Sequence, residues 1–141
     1  MRLRRLAALS AAFALLAAPA LADEVWNTEI GRVVYLTDIG DVAVFTYPAA
    51  NGGTGYVYIE GLGGNYTDRS THRGYWIEPG SSGACSATLT SPDGVSSRAW
   101  GRVTVTFARP AAPSGFTAYR GDCFAEPEAM LVGTPVVGGV K

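Results

Sequence analysis

The sequence predicts an all-β fold, a single antiparallel meander of about eight strands curled into a small barrel, with a two-sheet β-sandwich as the alternative. Three observations predict it. Short runs of alternating apolar and polar residues recur along the chain, clusters of Gly, Pro, Asn and Asp separate them, and no long stretch carries helical periodicity. The connections are short, so neighbouring strands pair as hairpins. Strands joined in series leave two open edges unless the sheet closes on itself.

The first element is not a strand. MRLRRLAALSAAFALLAAPALA places Arg2, Arg4 and Arg5 ahead of an apolar run from Leu6 to Leu16 and the triplet Ala20, Leu21, Ala22. That pattern predicts a secretory signal peptide over residues 1–22, with cleavage before Asp23. The run is shorter than the ~20 residues a spanning helix needs, so no membrane span is expected after cleavage. The expected location is secreted or periplasmic.

A β domain follows over residues 23–125, with strands near 24–28, 32–37, 42–47, 55–60, 74–78, 84–90, 97–107 and 116–121. Turns are predicted at DIGD (38–41), around Asn51, Gly52 and Gly53, at PGSSG (79–83) and at Pro92, Asp93, Gly94. The one extended loop, 61–74, is polar and reads as an adjustable rim. Residues 126–141, which contain Pro127, Gly133, Pro135, Gly138 and Gly139, read as a C-terminal tail or an edge strand.

Beyond residue 22 the chain carries eight basic and twelve acidic residues, a net charge of −4 against −1 for the whole. With no basic cluster to neutralise phosphates, nucleic acid is not an expected partner. Export also makes the two cysteines legible: Cys85 and Cys123 are predicted to form one disulfide.

Trp100 poses the main question, because it shares a row with Arg98, Arg102, Thr104 and Thr106, while Val103, Val105 and Phe107 take the other row. The Pro-Asp-Gly bend fits a three-residue hairpin in which Ser91 faces Val95. Continued, that register sets Cys85 opposite Gly101 and Ser86 opposite Trp100. If Glu78 faces Ala84 across PGSSG, Trp76 falls opposite Ser86, and the two indoles lie in one row with a serine between them. Two readings follow. Trp76, Arg98, Trp100 and Arg102 form an aromatic, ligand-binding platform, or the indoles pack beneath arginine stems or the tail. A one-residue slip would turn them inward.

Gly101 sits in mid-strand, where glycine weakens a sheet unless another backbone approaches closely. Residues flanking an intervening strand stand ~9–10 Å apart, beyond the ~7 Å limit of disulfide geometry. The chain is therefore expected to leave the ladder at Gly121 and cross over Gly101.

No catalytic residue, metal ligand set or cofactor motif is assigned. His72 is the only histidine, in NYTDRSTHRG, without a nucleophile elbow. Asp38 and Asp41 lack the ligand count of a calcium loop, Glu24 and Glu29 act as an acid–base pair only if a cleft gathers them, and GLGG and NGG do not precede a helix. Asn65, Tyr66, Thr67 match a glycosylation sequon. Tyr56 and Tyr58 share a face, so Val57 and Ile59 turned to the core would leave an exposed aromatic strip; the alternative is that the two phenols line a wet barrel interior with their hydroxyls directed at a ligand. The functional expectation is an exported, non-catalytic binding module for a small ligand or glycan. The alternatives are an envelope protein-interaction or inhibitor protein, and a small hydrolase or isomerase.

Overall fold

The computed structural model describes residues 24–137, so the predicted signal peptide lies outside the described residues. Eight strands form a closed antiparallel barrel: β1 (Val25–Thr28), β2 (Gly31–Ile39), β3 (Val42–Pro48), β4 (Thr54–Ile59), β5 (Thr71–Ile77), β8 (Trp100–Phe107), β9 (Phe116–Arg120) and β10 (Ala129–Pro135). A two-stranded ribbon, β6 (Leu89–Thr90) with β7 (Ser96–Ser97), is inserted between β5 and β8. Around the barrel each strand lies beside its neighbour in this series, and β10 sits between β9 and β1.

Two members of the expected strand set change places. Residues 84–90 are not a stave of the barrel, because β5 pairs directly with β8. The segment read as a tail or edge supplies the stave instead: β10 pairs with β9 from Ala129 to Gly133 and with β1 through Trp26↔Pro135 and Asn27↔Thr134. Gly133 has no side chain where the ring of Phe116 fills the barrel, since a Cβ there would meet that ring at 2.2 Å.

The register that joined the two indoles fails with the lost stave. The Pro-Asp-Gly bend does pair Leu89 with Ser97 and Thr90 with Ser96, and Ser91 N–H bonds Val95 O at 2.8 Å. The ribbon is only two pairs deep, however, and residues 84–88 form no strand. In the β5–β8 ladder Ile77 faces Trp100 and Trp76 faces Gly101. Residues opposite each other share a face, so Trp100 points outward with Ile77 and Trp76 points inward. The four residues proposed as a platform therefore do not share a surface.

Trp76 joins the barrel interior with Trp26, Phe45, Val103, Val105, Phe107, Phe116 and Ala118. Trp100 belongs to a second cluster outside the barrel wall, with Val44, Tyr58, Ile77 and Cys85. The excursion 78–99 folds back over that wall. Val44 and Ile77 become fully buried there, a gain of roughly 1.5–3 kcal/mol per side chain. Val57 and Ile59 do belong to the interior cluster, but Tyr58 is not an exposed strip. It is fully buried, stacked on Tyr75 with ring centroids 5.0 Å apart, and its hydroxyl donates to Asp93 Oδ1 at 2.9 Å.

That hydrogen bond ties the ribbon to the wall and makes it sensitive to acid. Burial pushes the Asp93 carboxyl up, but donation from Ser91, Tyr58 and backbone N–H groups outweighs it and holds the group below its ordinary 3.8. A depressed carboxyl contributes stability above its unfolded value and loses it as pH falls through the folded one. Amide exchange should therefore show the ribbon losing protection below about pH 4 while the barrel strands keep theirs. Asp93→Asn should remove that pH dependence.

One end of the barrel is plugged. The loop 61–74 does not act as an adjustable rim: it turns inward, with Leu62 and Arg69 buried. Arg69 N–H bonds Pro110 O at 2.8 Å, and its guanidinium pairs with Glu24, with Nη1 to Oε2 at 2.7 Å. The other end carries the disulfide.

Candidate functional site

The chain segment after β9 builds the disulfide end. β9 ends at Arg120, and Gly121 crosses over β8 at Gly101. The crossing explains the mid-strand glycine, since a Cβ on Gly101 would lie 1.8 Å from Gly121 O. Gly121 N–H bonds Arg102 O at 3.0 Å, Cys123 N–H bonds Trp100 O at 2.8 Å, and Trp76 Nε1 donates to Gly121 O at 2.9 Å. Cys123 and Cys85 are joined by the expected disulfide, with Cα atoms 5.5 Å apart. Cys123 is held at φ 54°, a conformation that costs a non-glycine residue roughly 1–3 kcal/mol and persists only where its surroundings fix it.

The next residue is presented to solvent. Phe124 is 71 % exposed, although its ring forms a T-shaped pair with Trp100, the centroids 4.9 Å apart. Arg102 holds the loop from behind, donating to Phe124 O and pairing with Glu126 at 3.2 Å. Ala125 N–H bonds Asp122 O at 3.0 Å, closing the turn. An apolar ring thus stands on a backbone fixed by a disulfide, a backbone crossing and an arginine.

Beside this loop runs an open groove of about 480 Å³, walled by Trp76, Glu78, Ser81, Trp100, Asp122 and the disulfide. Trp76, one of its walls, is braced by a stacked charge. The Arg120 guanidinium lies 4.0 Å over the Trp76 ring and 3.5 Å from Glu78, whose Oε1 accepts from the Tyr47 hydroxyl at 2.8 Å. Burial pushes the Tyr47 hydroxyl well above its ordinary value, so it stays protonated as a donor.

Comparison with protein-family models, curated proteins and solved structures finds no match. The geometry alone must therefore carry the functional argument.

Trp76 and Trp100 both reach this groove, from opposite faces of the sheet, but neither offers an open ring face at 7 % and 5 % exposure. Arg98 is exposed on the outer side and donates from Nε to Cys85 O at 2.8 Å. Arg102 braces the loop. Sequence reasoning missed Phe124 and Arg120, and placed Glu78 only as an edge of the indole platform. The available signal was GDCFAEP, in which a large apolar residue follows a cysteine outside any alternating run.

The other candidate chemistry is dispersed. The His72 ring nitrogens face Glu60 O at 3.2 Å and Ser70 N at 3.4 Å, which are backbone atoms and not a nucleophile or carboxylate. Glu24 lies at the plugged end, while Glu29, in the β1–β2 turn, accepts from Val132 N–H of β10, so the two form no acid–base pair. Asp38 accepts from Gly64 N–H at 3.0 Å and from the Tyr66 hydroxyl, which fastens the loop 61–74 to β2. Among the described residues no three His, Cys, Asp or Glu side chains gather as a metal site, and no helix is long and apolar enough to cross a membrane.

Proposed function

We propose that the chain is an exported, non-catalytic interaction module that binds a protein partner by inserting Phe124 into an apolar pocket, with the neighbouring groove receiving the pocket's rim. The exposed phenylalanine on a covalently fixed loop carries this reading. A large apolar side chain left in water is informative where its backbone is rigid, because a pre-ordered anchor loses little entropy on binding. Glu126 and Glu78 are already paired with Arg102 and Arg120, so the charge around the ring is nearly balanced and the apolar ring is the feature a partner would recognise. A glycan platform on the two indoles fits less well, since sugar stacking needs an open aromatic face and both indoles are buried.

The test is quantitative capture from the envelope or extracellular fraction of the source organism, with the native chain, Phe124→Ala and Leu36→Ala, the last removing an exposed apolar side chain on β2. One partner should bind the native and Leu36→Ala chains equally and Phe124→Ala at least about ten-fold more weakly, the loss typical of a central anchor. Equal retention by all three would overturn the proposal.

A further inference from the structure

The barrel interior is not filled. A void of about 60 Å³ lies at its centre, walled by apolar side chains that include Val33, Val57, Ile59, Val103, Ala118 and Leu131. A second, of about 40 Å³, shares five of those walls and rises toward Ile30 and Arg120 at the disulfide end. Protein interiors pack as densely as organic crystals, with few gaps larger than a water molecule. Water does not settle in such a space, because it requires two to four polar partners and the central void offers no polar side chain. The central void is therefore dry space suited to an apolar occupant.

The wall beside it has a weak seam. β10 pairs with β9 over five residues but meets β1 only at Trp26↔Pro135, Asn27↔Thr134 and, beyond them, through Val136 N–H to Val25 O at 2.8 Å, so the seam is open on the Gly133 side. Past Asn27 the β1–β2 turn bears a carboxylate where a ladder would continue: Val132 N–H is taken by Glu29, at 3.1 and 3.3 Å to its two oxygens. Ile30, 37 % exposed, and the half-buried Leu131 both line the upper void. A ligand can thus enter by displacing two side chains without breaking a strand ladder. At the mouth it meets Arg120, which lines the upper void and whose charge Glu78 balances at 3.5 Å. That pair suits an uncharged hydroxyl and opposes either a carboxylate or an ammonium.

We infer that the barrel lumen is a second binding site, distinct from the Phe124 loop, that takes a short unbranched alkyl chain ending in a neutral polar group. Each void is smaller than the ~150 Å³ cavity known to admit benzene, and the two share five walls in series, so the space suits a short, narrow chain. The inference does not rest on the loop reading.

The probes are xenon and the straight-chain alcohols from 1-butanol to 1-octanol, read by methyl chemical shifts of Val33, Val57, Val103 and Leu131. Saturable shifts confined to these methyls are expected, with an optimum in chain length and an unchanged response in Phe124→Ala. Ala118→Ile fills the space common to both voids and should weaken binding at least ten-fold. Leu131→Phe, which blocks the seam, serves if Ala118→Ile does not fold, and the same weakening is expected. Absence of saturation by any alcohol overturns the inference, as does saturation by xenon alone or undiminished binding in the filled variant.

Discussion

Glu24→Gln is expected to cost about 3 kcal/mol of unfolding free energy, and adding Arg69→Met is expected to restore most of it. The Arg69 side chain is almost wholly buried and that of Glu24 mostly so, at the plugged end of an apolar barrel. The guanidinium lies 5.3 Å from the Phe107 ring, and its Nε has no partner. Its charge is balanced by one carboxylate, so glutamine in that position leaves a cation in a medium that solvates it poorly. Removing both charges eliminates the desolvation cost together with the attraction, and methionine keeps the length that fills the plug. Urea or guanidinium melts of the two single variants and the double give the coupling directly. A loss below 1 kcal/mol for Glu24→Gln would mean that the pair behaves like an exposed salt bridge and that water reaches the plug.

Local chemistry made much of the architecture legible. Alternation and turn residues placed seven of the barrel strands, Pro92-Asp93-Gly94 set the ribbon register, and Gly101 with the two cysteines foretold the crossing at Gly121. What failed was partner choice over distance. MLVGTP contains Gly133 and Pro135, which suit an edge; that Phe116 needs the space of Gly133 is a contact between strands that the pattern of either one does not contain. The excursion 78–99 did leave a trace. VAVF in β3 is apolar on both faces, and a two-faced strand implies that something covers the outer side. Read that way, Val44, Tyr58 and Ile77 would have called for a cover, and the polar ribbon after Ile77 was the nearest segment able to supply it. The same reading would have separated Trp76 from Trp100, because a strand covered on both sides accepts an indole on either.

Mutating Cys85 and Cys123 together to alanine is expected to lower stability by about 4 kcal/mol, the chain-entropy value for a 38-residue separation, and to lower Tm by about 15 °C. Thermal melts of the native and disulfide-free chains measure both. The loss falls unevenly across the molecule. β9 and β10 stay in their ladder, whereas residues 121–126 depend on the cross-link, on three hydrogen bonds around the Gly101 crossing and on Arg102. Without the disulfide the φ of 54° at Cys123 has fewer restraints to oppose relaxation toward ordinary backbone. Phe124 then samples many orientations, and any partner that uses it must bear the ordering entropy that the cross-link had removed in advance. Affinity should consequently fall beyond what the residual folded fraction explains, when compared at a temperature where both chains are folded. Arg102→Ala separates the two effects, since it loosens the same loop and leaves the covalent bond intact. A disulfide-free chain that binds as tightly as the native one would show that the crossing at Gly101 fixes the loop by itself, with the disulfide serving stability alone.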